Sequence, residues 1–183
     1  GPKGVISARA RLAGTPVHCE SDHPMRSLLF LLLLACASAG TVPATQASSD
    51  LVMLERDVVR LVNEHRAARR LHGLNVDTAV AAIARAHSVA MAQGRVPMGH
   101  HGFSERADQV ERFRAFTEIA ENVAMNDYTS GRTVRVAVEG WLKSRHHLEN
   151  VEGKFDVTGV GIARSGSGAF YFTQLFVASA SSR

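Results

Sequence analysis

The amino-acid sequence predicts an α+β fold, with about four helices around a small sheet that ends in a C-terminal hairpin. Apolar residues recur at helical spacing through much of residues 50–150, which is typical of amphipathic helices. Two β-rich runs, residues 157–162 and 170–177, then flank the turn sequence Ser165-Gly166-Ser167-Gly168. Helices that precede a terminal hairpin, with one extended segment before it, favour separate helical and sheet layers.

The first two helices are predicted from their periodicity and their end signals. The first begins at Asp50 and stops by Gly73, and its inward positions are Leu51, Leu54, Val58, Leu61 and Val62. The second can be capped by Asp77 and runs to Gly94, with inward positions Val80, Ile83, Ala84, His87 and Met91.

Two further helices are separated by an extended segment at residues 118–126. The third helix is short, can be capped by Ser104, and turns Ala107, Val110 and Phe113 inward. The fourth begins at Thr129 or Ser130, and its buried stripe comprises Val134, Val138, Trp141 and Leu148. The fourth helix is followed by the hairpin, which completes the predicted domain.

The chain before residue 50 is predicted to lie outside the folded domain. Met25-Arg26, a short apolar run and Ala37-x-Ala39 are typical of a secretory signal peptide at residues 25–39. The apolar run is too short to cross a hydrocarbon core of about 30 Å as a helix. Residues 1–24 precede this natural start, so an over-extended gene start or an expression scar would explain them, and residues 40–49 form a linker. The domain is then residues 50–183.

The signal-peptide pattern predicts a secreted or periplasmic protein that is cleaved after Ala39. Leu33-Leu34-Ala35-Cys36 also resembles a lipobox, so a lipid anchor to the cell envelope at Cys36 is the alternative. The other cysteine, Cys19, lies in the leader as well, so the domain has no disulfide. A hydrophobic core must hold it together, which a domain of this length can achieve.

The charge balance of the processed chain excludes a nucleic-acid footprint. Residues 1–39 contain four of the 21 basic and two of the 17 acidic residues, which leaves 17 basic, 15 acidic and a net charge of +2. Arg66, Arg69 and Arg70 cluster, but as charged residues of the first helix they are expected on its polar, solvated side. No phosphate loop, dinucleotide fingerprint or nucleic-acid-binding motif occurs. Nor does any stretch after processing read as a transmembrane helix.

Five motifs occur in an order that is typical of one protein family. They are Gly99-His100-His101-Gly102-Phe103, Ala120-Glu121-Asn122-Val123-Ala124, the run from Trp141 to Asn150, Gly159-Val160-Gly161, and Tyr171-Phe172-Thr173-Gln174. Together they resemble the CAP superfamily (the SCP-like domains of cysteine-rich secretory, antigen 5 and pathogenesis-related proteins) in its compact bacterial form. The resemblance implies an α-β-α sandwich.

The resemblance also implies a cleft in which two histidines and two glutamates meet. His100 matches the first histidine, with His101 as the neighbouring alternative; Glu121 matches the first glutamate and His147 the second histidine. The second glutamate is missing, because Ser144 stands three residues after Trp141. Trp141 is expected to anchor the core, and Asn122 and Asn150 to hold loop backbone.

Two imidazoles and a carboxylate could hold Zn²⁺ or another divalent metal with water as a further ligand. His100 and His147 are therefore candidate metal ligands, although no His-Glu-x-x-His pair fixes two ligands on one helix. Without a metal, Glu121 could orient His100 or His147 as a general base, with Ser144 as the nearest nucleophile. The alternative is a structural network, because buried polar groups must be paired.

Three functions are consistent with this sequence. The first is an exported binding module whose His/Glu cleft takes a lipid, a cell-wall component, a protein or a divalent metal. The second is a metal-assisted, protease-like hydrolase, which the missing carboxylate disfavours. The third is a structural interaction domain with an inactive cleft. The first is our prediction, with no catalytic residue assigned.

Overall fold

The computed structural model describes residues 5–11 and 44–180 of the chain. The signal peptide and lipobox predicted at residues 25–39 lie outside the described residues. In chain order the elements are β1 (Val5–Arg11), α1 (Ala44–Ala68), β2 (Asn75–Val76), α2 (Thr78–Ala92), α3 (Phe103–Glu111), β3 (Phe116–Asn126), α4 (Ser130–Lys143), α5 (Arg145–Val151), β4 (Val157–Arg164) and β5 (Phe170–Ser179).

The five strands form one mixed sheet in the order β1-β3-β5-β4-β2. The short β2 pairs in parallel with β4, and every other pairing is antiparallel. Helices α1 and α4 pack on one face of the sheet with Val151 of α5, while α2 and α3 pack on the other face. The α+β fold, the α-β-α sandwich and the terminal hairpin are therefore confirmed.

Trp141 anchors the larger of the two core layers. Its side chain is fully buried among residues of α1, α4 and the sheet. The indole Nε1 donates a hydrogen bond of 3.3 Å to the backbone oxygen of Val123, so the polar edge of the ring is also satisfied. Its predicted role as a core residue agrees with this position.

Two glycines allow α2 to lie directly on β4. A Cβ added to Gly159 would come within 2.3 Å of the Ala81 nitrogen, and one added to Gly161 within 2.0 Å of the Arg85 nitrogen. Both atoms belong to helix backbone, which cannot move aside as a flexible side chain would. The close approach also lets the Ser88 hydroxyl donate to the Gly161 carbonyl at 2.8 Å.

The predicted fourth helix is in fact two helices. Ser144 has extended dihedral angles (φ −108°, ψ 121°), so the chain bends there before α5 begins. Trp141, Ser144, His147 and Asn150 therefore do not share one continuous helical face, and Leu148 is only partly buried. Phe113 is also different from its prediction: α3 ends at Glu111, and the phenyl ring is 49% exposed.

The ends of α1 also differ from the prediction. The helix begins at Ala44, within the stretch predicted as linker, and it ends at Ala68 rather than near Gly73. Arg70, with φ 60°, takes the left-handed conformation just after the helix. Before Met25 the sequence analysis assigns no element, yet residues 5–11 pair with β3 along its free edge.

Arg66 is buried, in contrast to its predicted solvated position. Its guanidinium donates to the backbone oxygens of His72, Val151, Gly153 and Phe155 at 2.7–3.2 Å. Burial lowers the pKa of this group. Arg66 thus ties the loop after α1 to the loop after α5.

Candidate functional site

The candidate site is built around two consecutive residues of β3. Glu121 and Asn122 are both fully buried. Because successive side chains of a strand point to opposite faces, the two residues serve opposite layers of the sandwich. Glu121 meets the loop before α3 and α3 itself, and Asn122 meets α5.

Glu121 is held by three charge-assisted or polar contacts. Arg106 of α3 binds it through two bonds, from Nε to Oε2 and from Nη2 to Oε1, each 2.7 Å long. The Nδ1 atom of His100 lies 2.7 Å from Oε1. Arg106 also donates to the backbone oxygen of His101, which fixes the loop that carries His100. This bidentate geometry is the strong form of an arginine–carboxylate pair.

These contacts set the charge of the carboxylate. Burial alone raises the pKa of Glu121, but the hydrogen bonds from His100 and Arg106 and the charge of Arg106 outweigh burial and leave the pKa below its ordinary value. Glu121 is therefore an ionised carboxylate at neutral pH with both oxygens occupied.

The loop geometry selects His100 rather than His101. The Nε2 atom of buried His87 lies 2.7 Å from the Gly99 oxygen and so anchors the start of the loop. Gly99 and Gly102 adopt positive φ values of 147° and 73°, which turn the chain into α3. His100 consequently faces Glu121, whereas the side chain of His101 is exposed.

His147 and Ser144 form a second pair on α5. The His147 Nδ1 atom lies 2.6 Å from the Ser144 hydroxyl oxygen. The predicted asparagines connect this helix to β3: Asn122 donates to the His147 backbone oxygen at 3.2 Å, and Asn150 donates to the Asn122 side-chain oxygen at 2.9 Å. A longer bond of 3.4 Å joins Asn150 to the Glu121 backbone oxygen.

The predicted residues therefore lie in two neighbouring pairs, His100–Glu121 and Ser144–His147, on either side of the strand. Within residues 5–11 and 44–180, no group of three or more His, Cys, Asp or Glu side chains is placed to hold a metal ion. The main residue that sequence analysis missed is Arg106, which lies three residues after the Gly99–Phe103 motif. Its presence makes Glu121 a salt-bridge partner as well as a histidine partner.

His100 is the group of this site that can accept a new contact. If Nδ1–H donates to the Glu121 carboxylate, the neutral ring carries its lone pair on Nε2. That Nε2 atom is buried and has no hydrogen-bond partner in the described part of the chain. A hydrogen-bond donor or a metal ion could occupy this position.

The comparisons with known proteins identify the family. The family described as "CAP: Cysteine-rich secretory protein family" matches residues 59–176, which is well over half of the chain. This chain belongs to the CAP family. The CAP domain so defined contains all four predicted cleft residues. No curated protein sequence matches the chain significantly.

Solved bacterial structures share the CAP fold. An extracellular protein of Bacillus anthracis that contains an SCP domain superposes with a TM-score of 0.57 at 22% identity, covering 76% of this chain and 45% of that one. An outer surface protein of Borrelia burgdorferi gives 0.57 at 18% identity, covering 73% and 96%. A cysteine-rich secretory protein of Staphylococcus aureus gives 0.54 at 18% identity, covering 74% and 40%. The chain thus spans less than half of the Bacillus and Staphylococcus proteins.

None of the described helices is long and apolar enough to cross a bilayer.

Proposed function

We propose that this CAP domain is exported and binds a ligand at His100, without hydrolysing it. The observation that supports binding is the state of Glu121, whose two oxygens are already taken by Arg106 and His100. A carboxylate whose pKa is lowered by these partners is a weak general base, and a metal would have to compete with Arg106 and His100 for it. Glu121 instead fixes the orientation of His100, and the Nε2 atom of His100 contacts the ligand.

The experiment is ligand extraction and elemental analysis on protein purified from its native compartment. Wild type should carry a metal or an organic ligand that His100→Ala loses. His146→Ala is the matched control, because the His146 side chain is 80% exposed beside the site rather than in it. Equal recovery from all three proteins, or nothing recovered from wild type, would contradict binding at His100. The second result would favour the structural interaction domain.

Zinc or another divalent metal is one such ligand. His100 would bind it through Nε2, whereas His147 belongs to the separate pair with Ser144. Calorimetric titration of zinc into wild type, His100→Ala and His146→Ala tests it directly. We expect affinity to weaken as the solution is acidified, because protons compete with the metal for the imidazole nitrogen. If zinc uptake is unchanged in His100→Ala, His100 is not a metal ligand, but it could still bind an organic ligand.

Export is supported by the signal-peptide pattern at residues 25–39 and by the extracellular and outer-surface descriptions of the similar bacterial proteins. The intact mass of native protein measures it. Cleavage after Ala39 is expected, and a diacylglyceryl adduct on Cys36 would instead show a lipid-anchored protein. A native N-terminus at or before Met25 would refute export with cleavage.

A serine hydrolase is the second candidate, because the Ser144 hydroxyl lies 2.6 Å from His147 Nδ1. That distance suits a nucleophile and its base. However, the acid predicted beside them, Glu121, is bound to His100 and Arg106. A fluorophosphonate probe should therefore fail to label Ser144 in wild type. Labelling that disappears in Ser144→Ala would favour the hydrolase.

A further inference from the structure

The edge of β3 opposite β5 is occupied by a strand from the N-terminal leader. Val5–Arg11 pairs antiparallel with β3, in a register that places Ala8 opposite Glu121 and Arg9 opposite Ala120. Export with cleavage after Ala39 would remove this strand. β3 would then become an edge strand of 11 residues without Pro, Lys or Arg, the residues that usually protect such edges.

We propose that the β3 edge of the exported domain binds an extended peptide with a basic residue, which adds to the sheet as β1 does here. This inference rests on the proposed export, because only processing frees the edge. It also deepens the proposed ligand-binding function, since it names a class of ligand for the region beside His100.

The contacts made by β1 define what this edge recognises. Arg9 forms an ion pair with Glu118, and its guanidinium carbon lies 5.1 Å from the centre of the Phe155 ring. Asn150 reaches the backbone oxygen of Ala8 at 3.5 Å. Main-chain pairing with β3 would supply affinity independent of sequence, and the Glu118–Phe155 position would select a cation.

The same register connects the edge to the candidate site. Residues directly opposite in an antiparallel pair point to the same face, so the side chain at the Ala8 position shares the face of Glu121 and its partner His100. The next side chain, at the Arg9 position, points to the opposite face toward Phe155. A bound peptide would therefore lie between the His100–Glu121 pair and α5.

A second copy of the domain fits this edge less well. If β3 of another molecule paired here, Glu118 would meet a strand without a basic residue, since β3 contains no Lys or Arg. A peptide with arginine satisfies both Glu118 and the face of Phe155. We therefore assign the edge to a basic peptide, and edge-to-edge dimerisation becomes a contradicting outcome of the test.

The test uses a fluorescent peptide of residues 5–11 and the domain recovered after export from a bacterial host. Anisotropy should show saturable binding. A peptide with Arg9→Glu should bind about two- to fivefold more weakly, the loss expected for one partly exposed ion pair. Glu118→Gln in the protein should weaken the wild-type peptide similarly, whereas Glu149→Gln, an exposed glutamate of α5 paired with Arg145, should have no effect.

Two backbone-methylated peptides distinguish strand addition from simple charge attraction. One carries N-methyl groups on alternate residues from 5, the other on alternate residues from 6. Only one set of N–H groups faces β3 in an antiparallel ladder, so one peptide should bind normally and the other should not bind. Equal binding of both, no saturable binding, or a dimer that the peptide does not dissociate would overturn the proposal.

The intact mass of the same preparation shows whether residues 5–11 are still present. It therefore tests export with cleavage separately from peptide addition to the β3 edge. If residues 5–11 are retained, export with cleavage fails, and the peptide is then added to the full chain. Wild type should exclude it because its own strand fills the edge, and Arg9→Glu in the chain should admit it. If that variant also fails to bind the peptide, the strand site is refuted whatever the route of export.

Discussion

Arg106 offers the sharpest test of how the site is held, because it neutralises a carboxylate that is fully buried. Replacing it with methionine keeps most of the side-chain volume and removes both bonds to Glu121 and the bond to the His101 oxygen. The remaining partner of the carboxylate is His100, whose side chain is 17% exposed. A charge once compensated by a bidentate cation would then be compensated by one imidazole.

The expected cost of Arg106→Met is about 3–5 kcal/mol, the usual result of removing one partner from a buried ion pair. Against a total stability of about 5–15 kcal/mol, this should lower Tm by roughly 10–20 °C. The double variant Arg106→Met, Glu121→Gln removes both charges and should recover much of the loss. Arg145→Met is the matched control, since Arg145 is 87% exposed in its pair with Glu149 and should cost less than about 1 kcal/mol.

Equilibrium unfolding in urea at several pH values measures all four proteins. In wild type the lowered pKa of Glu121 contributes stability above its ordinary value of 4.5, which is lost as the pH falls through the lowered value. In Arg106→Met burial is less compensated, so the pKa should rise and protonation should relieve the buried charge. The difference in the free energy of unfolding between wild type and Arg106→Met should therefore become smaller as the pH is lowered from 7 to 5. A cost below about 1 kcal/mol, or a gap that widens with acid, would refute this account of the site.

Three further predictions concern the residues that support the site. Trp141→Ala should cost about 3–5 kcal/mol and leave the domain marginal, as measured by thermal unfolding; melting within a degree or two of wild type would mean that the indole is not a core anchor. Burial, followed by the charge of Arg106, lowers the pKa of His87 below 6.5, so the fold favours the neutral ring and wild type should lose stability as the pH falls below 6.5 toward the lowered value. His87→Gln should flatten that part of the stability profile in urea titrations, and an unchanged slope would assign it to another group. Arg66→Met should cost about 2–4 kcal/mol, since it leaves buried carbonyls unpaired, and unfolding within about 0.5 kcal/mol of wild type would contradict this.

Periodicity predicted the helices because each packs an apolar face against the sheet. The cap at Asp77 was also readable, and its carboxylate accepts bonds from the nitrogens of Ala79 and Val80. β1 was missed although Ser7, Arg9 and Arg11 alternate with Ala8 and Ala10. Alternation is the pattern of a strand, but alanine has little strand propensity, so the pattern carried little weight.

The two buried arginines were missed for a common reason. Arg66 stands four residues after Val62, and Arg106 stands four residues before Val110, so helical spacing placed each on an inward face. A charged residue at an inward position requires a buried partner, which is a carboxylate for Arg106 and a set of carbonyls for Arg66. The charge of an arginine predicts a surface position, whereas the helical spacing of these two predicts a buried one. The partners themselves come from distant parts of the chain, and only the fold brings them together.

The bend at Ser144 shows that the geometry predicted for the run from Trp141 to Asn150 is wrong, although the run does lie against β3. The spacing of Trp141, Ser144, His147 and Asn150 suggested one helical face, along which Asn150 would lie about 9 Å beyond Ser144. Instead the chain turns at Ser144, and α5 brings Asn150 to the backbone of Glu121. The Ser144 hydroxyl, 2.6 Å from His147 Nδ1, joins the bend to the candidate histidine. Ser144 therefore holds the His147 ring, while Asn122 and Asn150 hold α5 against β3.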